Sequence, residues 1–309
     1  MEAFSDRLAS AVRRCGNPVM VGLDPRVEQL PDAIRPKEDS ASLSQQAAAC
    51  LAFCQGVVDV VASLVPVVKP QAAFFEQMGP AGMVALGEII RYATDKGLLV
   101  VLDGKRNDIG STATAYAAGI LGPDSPWGAD ALTVSPYLGR DSLEPFVTTA
   151  TQRGAGIFVL VKTSNPGGGM FQDLICADRP VYRYVADEVE RLAEETCGGC
   201  GYGAVGAVVG ATYPEQLAEL RAAMPRAWLL VPGYGAQGAG AGDVAGAFDA
   251  EGLGAVVNNS RGILFAHSRP PYAAQFGPNR WQEAVEAATR DMIAQLRAAT
   301  PAGRLPASR

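Results

Sequence analysis

LLVVLDGKRNDIGSTATAYA, residues 98–117, runs five apolar residues into Asp103, Lys105 and Asp108, then at once into Gly110, Ser111 and Thr112. An apolar run of this length, bounded by polar turn residues, reads as a strand buried on both faces. Two acids and a lysine at its end need a reason. Asp103 and Lys105 are two apart, so on a strand they share a face. The same unit repeats along the chain. Short apolar runs at 18–23, 64–69, 98–102, 129–134, 156–161, 203–209, 227–231 and 253–257 alternate with helical patterns at roughly 41–62, 79–96, 111–121, 140–153, 181–196, 214–223, 238–249 and 279–299. Eight such strand–helix pairs predict one parallel α/β domain over 1–309, a (β/α)8 TIM barrel, with an open doubly wound sheet as the runner-up.

Composition fits a large single core: 309 residues, 48% hydrophobic and 19% charged. The net charge of −6 and the lack of a Lys/Arg-rich run argue against nucleic acid or an anionic membrane as partner. The first sixteen residues, MEAFSDRLASAVRRCG, have no signal-peptide core, and no apolar run reaches membrane-spanning length, so a cytoplasmic location is expected. The six cysteines are expected to be reduced. Cys197 and Cys200 have redox or metal spacing, but lack a second such pair or a nearby histidine, and are read as a loop pair. The one histidine, His267, precedes Arg269-Pro270-Pro271 and is read as a surface residue. Two insertions, 25–40 and the Gly-rich 163–180, interrupt the pattern, the second long enough for a lid. The tail from about 300 is expected to fray.

In a barrel the active site gathers on the loops after the strands. There the chain places Asp24, Lys69, Asp103, Lys105, Asp108, Ser164, the stretch PGYGAQGAGAGD at 232–243, and Arg261. A lone Asp-x-Lys is as well read as a buried ion network. Lys69 at the neighbouring strand end favours function, because a buried lysine keeps its proton only beside carboxylates. A row Lys69, Asp103, Lys105, Asp108 would hold each ammonium between opposite charges. The glycine stretch, read as opening a helix, suits a phosphate, and the Arg261 fork would pair with its oxygens.

With these pieces in place, the chain resembles the orotidine 5′-phosphate decarboxylase family in its longer bacterial form. The resemblance rests on GLDP at 22–25, KPQAAFFE at 69–76, LDGKRNDIGST at 102–112, TSNPG at 163–167, PGYGAQG at 232–238 and NNSRG at 258–262. It implies cofactor-free, metal-free conversion of orotidine 5′-phosphate to UMP and CO2. Lys105 would protonate C6, with Lys69, Asp103 and Asp108 completing the charged network. It also implies a homodimer with shared active sites, in which Asp108, Ile109 and Thr112 serve the neighbouring subunit. Asp24 and Lys69 would hold ribose hydroxyls with Thr112, Ser164 would meet the pyrimidine edge, Gln237 would bridge base and phosphate, and Gly235 and Arg261 would hold the phosphate. Asp24, Thr112 and Ser164 taken singly are equally good turn or cap residues; their joint placement favours the site. The rivals are a metal-dependent sugar-phosphate lyase or decarboxylase of the same superfamily and a catalytically silent nucleotide-binding barrel.

Overall fold

The computed structural model describes residues 1–37, 41–235 and 238–307. Among them, eight parallel strands close into a barrel in chain order. They are β1 (Val19–Leu23), β2 (Val67–Pro70), β3 (Leu99–Arg106), β4 (Ala131–Val134), β5 (Gly156–Lys162), β6 (Val205–Val209), β7 (Leu229–Val231) and β8 (Ala255–Asn259). Closure comes from β1 beside β8, with Val19 opposite Val257, which rules out the open sheet. Val, Leu and Ala dominate these strands and are buried throughout most of them. Burial on both faces, by the barrel interior and by the helical shell, is why the runs show no polar alternation.

The shell is α2 (Leu43–Val61), α3 (Gly79–Asp95), α4 (Gly110–Ile120), α5 (Arg140–Gln152), α6 (Val181–Glu195), α7 (Pro214–Ala223) and α8 (Trp281–Ala299), preceded by α1 (Phe4–Cys15). Helix α2 starts with a capping box in which Ser42 and Gln45 satisfy each other's backbone. Helix α1 has no counterpart in the predicted set. Its buried Phe4, Leu8 and Val12 close the barrel at the strands' N-terminal ends, where Phe4 meets Phe158 edge-on and Arg7 pairs with Asp130.

Three expectations need correction. The helix expected over 238–249 is only a six-residue 3-10 helix, Gly242–Ala247. Gly238, Gly240, Gly242 and Gly246 each weaken an α-helix by roughly 1 kcal/mol relative to alanine. The tail does not fray at 300: Pro301–Arg304 forms a 3-10 turn, and Ala302 and Leu305 are buried, with Arg297 donating to the Gly303 and Leu305 carbonyls. His267 is buried, not on the surface; it sits in a turn tucked behind β8, and burial lowers its pKa. Nearby Arg269 and the two prolines made the stretch look more polar than its packing.

Candidate active site

Strand β3 runs four residues beyond the apolar run, and its register with β4 shifts between Leu102 and Arg106. That irregular end carries a charged cluster. Asp103, 7% exposed, receives four hydrogen bonds. Its Oδ2 accepts from Lys69 Nζ at 2.9 Å and Gln71 Nε2 at 2.9 Å. Its Oδ1 accepts from Lys105 Nζ at 2.6 Å and Thr133 Oγ1 at 2.9 Å. Burial alone would raise this carboxyl's pKa. The two ammonium groups and their hydrogen bonds outweigh burial and hold it well below the usual carboxylate range. Lys69 is 3% exposed. Burial would discharge it, but Asp103 and then Asp24 outweigh that effect and raise its pKa. Both groups of the buried pair are therefore charged at neutral pH.

Lys105 differs from Lys69. Its side chain is 48% exposed, and its backbone has φ 44°, a left-handed conformation that costs a non-glycine residue about 1–2 kcal/mol. Thr133 supports that turn: its Oγ1 accepts the Lys105 amide at 2.9 Å while donating to Asp103. One threonine thus ties the strained backbone to the carboxylate its ammonium meets.

This cluster forms one wall of a cavity of about 320 Å3 at the C-terminal ends of the strands. Asp24, Lys69, Asp103, Lys105, Ser164 and Arg261 all line it, as expected of them. Asp24 lines the cavity, and its buried Oδ1 has no hydrogen-bond partner. Arg261 opens a four-residue helix after β8 and has no carboxylate partner among the described residues. Gly235 is exposed, with φ 72°, in a loop closed by its amide on the Ala239 carbonyl at 2.8 Å. Gln237 lies outside the described residues. The glycine loop leads into the 3-10 helix noted above, and its Gly235, Gly238 and Gly240 amides are bonded within the protein, which leaves Arg261, at the start of its own short helix, as a group to meet an anion there.

The row of four charges is incomplete within one chain. Asp108 does not line the cavity; its Oδ1 accepts the amide of Ile109 at 2.8 Å. Ile109 is 56% exposed and Thr112 is exposed on α4. Lys105 has Asp103 as its one carboxylate partner among the described residues. After the turn at Lys105 through Gly110, Asp108 is half-buried, Ile109 and Thr112 are exposed, and none of the three lines the cavity.

Sequence reasoning gave no role to Gln71, Thr133, Asn258 or Ser260, all of which line the cavity. Thr133 had a signal, as the one hydroxyl inside an otherwise apolar β4. Gln71 had none, because its place beside Asp103 depends on strand register. The Cys197 and Cys200 thiols are free, the loop between them held by Asp6 accepting the Gly199 and Cys200 amides, and burial pushes the Cys200 thiol up to about 11. Among the described residues, no group of three or more His, Cys, Asp or Glu side chains is arranged to hold a metal ion. No helix there is long and apolar enough to cross a membrane.

Comparison with known proteins agrees with this geometry. The model of the orotidine 5′-phosphate decarboxylase / HUMPS family matches residues 17–275. An orotidine 5′-phosphate decarboxylase of Rhodopirellula baltica is 59% identical over 301 residues, covering 96% of this chain and all of the relative. One from Deinococcus radiodurans is 46% identical over 276 residues, covering 89% and 92%. The solved structure of the Leishmania donovani OMP decarboxylase superposes with a TM-score of 0.74 at 33% identity, covering 96% of this chain and 98% of that one. A barrel with a Lys–Asp–Lys cluster at its mouth, matched over nearly its whole length by such relatives, belongs to the orotidine 5′-phosphate decarboxylase family.

Proposed function

We propose that the chain decarboxylates orotidine 5′-phosphate to UMP and CO2 in pyrimidine biosynthesis, with no cofactor and with Lys105 as the proton donor. The observation that carries this reading is the Lys69–Asp103–Lys105 cluster, in which both ammonium groups bond one buried carboxylate at the cavity wall. The C6–carboxylate bond breaks, CO2 leaves, and the electron pair remains at C6. No adjacent π system takes that charge. A fixed ammonium stabilises it and then transfers a proton to C6; the resulting amine regains one from water. Asp103 holds Lys105 in place, Thr133 holds its backbone, and Lys69 keeps Asp103 ionised.

Binding falls to the rest of the rim. Asp24, with its unpartnered oxygen, and Lys69 suit the ribose hydroxyls. Ser164 meets the pyrimidine edge, Gln237 bridges base and phosphate, and Arg261 and the Gly235 loop take the phosphate. The phosphate is remote from C6, so its binding energy serves to order the site around the reacting carbon. The active form on this reading is a homodimer: Asp108, Ile109 and Thr112, which do not line their own cavity, enter the partner's site. A fourth charge then reaches Lys105 from the other subunit.

Spectrophotometric loss of orotidine 5′-phosphate tests the reaction: turnover unchanged by EDTA is expected, and absence of turnover overturns it. Loss on chelation would favour the metal-dependent rival. For the shared site, mixing inactive Lys105→Ala and Asp108→Asn proteins under conditions of subunit exchange should restore about a quarter of the wild-type sites. No recovery despite exchange contradicts it.

A further inference from the structure

Lys162 is a buried charge that the reaction as described does not use. It ends β5, is 2% exposed, and its ammonium pairs with Asp173 of the lid. Tyrosine rings lie on two other sides: the centroid of Tyr182, in the first turn of α6, is 5.4 Å away and that of Tyr213, before α7, is 5.2 Å. Strand alternation would send Lys162 into the cavity with Leu160, which lines it. The register of β5 on β6 slips instead, with Leu160 opposite Val208 and Lys162 opposite Val209. A bulge of this kind re-aims the side chain that follows it. Lys162 therefore leaves the barrel interior and meets the lid from behind.

The next residue continues the clip. The Thr163 amide donates to Gln172 Oε1 at 3.0 Å, and Gln172 Nε2 donates to Thr163 Oγ1 at 2.8 Å. Thr163 Oγ1 in turn donates to Asn165 Oδ1 at 2.7 Å. The two arms of the lid, 162–163 and 172–173, are thus fastened to each other and to the barrel. Ser164 and Asn165, between them, line the cavity. Below, Gly210 leaves room for Ser164; a Cβ there would stand 2.8 Å from the Ser164 Cβ and 2.9 Å from its Cα and backbone nitrogen.

The geometry points to Lys162 as a positioning residue that, through Asp173, fixes the lid so that Ser164 faces the substrate's base. This rests on the proposed reaction, and the tests separate the two. Lys162 is buried, and its removal can disturb folding, so the main variant is Asp173→Asn, whose side chain is 47% exposed. Asp173→Asn is expected to raise KM for orotidine 5′-phosphate about 10-fold, the scale of one charge-assisted hydrogen bond, with kcat within about 2-fold; Tm should fall as well, because Lys162 stays buried without its carboxylate. Asp173→Glu should recover most of the loss. Lys162→Met combined with Asp173→Asn should raise KM no further than Lys162→Met alone, as for two residues acting as one unit. If wild type turns over and Asp173→Asn leaves KM unchanged, the latch is wrong while the reaction stands. A fall in Tm alone, with KM unmoved, overturns the latch in the same way. A wild type without turnover removes the reaction itself, and with it the latch's purpose.

Discussion

The two sides of the cavity mouth are built on opposite principles. Around the ends of β2, β3 and β4, every charged group is already engaged: Asp103 takes four donors and Lys69 lies between carboxylates. Around β7 and β8, Arg261 lacks a carboxylate partner among the described residues, beside a glycine loop whose Gly235, Gly238 and Gly240 amides are bonded within the protein. The first side is held together by the protein's own hydrogen bonds and ion pairs. On the second, the Arg261 guanidinium is a cation without an ionic partner among the described residues. Groups aimed at charge that develops in the reaction need to be fixed beforehand, whereas groups that hold a phosphate remote from the reacting carbon supply binding energy.

That contrast can be broken from either side. Asp103→Asn leaves Lys69 buried without its main partner, an imbalance worth about 3–5 kcal/mol of stability when a buried pair is broken. Activity should also fall more than about 100-fold, as Lys105 loses its orienting carboxylate; calorimetry and turnover together check this. Arg261→Ala should raise KM by about 10- to 100-fold with little change in Tm, because a partly exposed cation that pairs only with ligand contributes to binding rather than folding. Thr133→Val should cost about 1–3 kcal/mol of stability and lower kcat by roughly 10-fold, since it strands the Lys105 amide and removes one donor from Asp103. The smallest effect concerns acid stability. Because the folded-state pKa of Asp103 is depressed, its contribution is fully present above the unfolded value and is lost as pH falls through the folded one. Wild type should therefore lose stability below about pH 4 more steeply than Asp103→Asn; parallel denaturation curves between about pH 4 and pH 2 would contradict this.

The barrel was legible because eight doubly buried strands leave an apolar signature that little else imitates. The charged wall of the cavity was legible at Asp103 and Lys105 because charge at the end of such a strand is costly unless it is paired. What escaped depends on register and on backbone detail. Gln71 reaches Asp103 only through the pairing of adjacent strands, and the bulge that turns Lys162 outward leaves no mark in the sequence. The helix expected at 238–249 failed because its apolar spacing was counted without its glycines. Helix α1 was readable from Phe4, Leu8 and Val12, but the stretch was considered only as a signal peptide. Asp108 was read both in one row with Lys105 and, from the resemblance, as serving a neighbouring subunit; the structure shows that it does not line its own cavity.

Lys105→Ala tests the role of the fixed ammonium most directly, with affinity for UMP and turnover of orotidine 5′-phosphate measured on the same protein. UMP affinity should stay within about 10-fold of wild type while turnover falls by at least about 1000-fold, since the fixed ammonium and the donated proton disappear together. Turnover within about 10-fold of wild type would contradict that role.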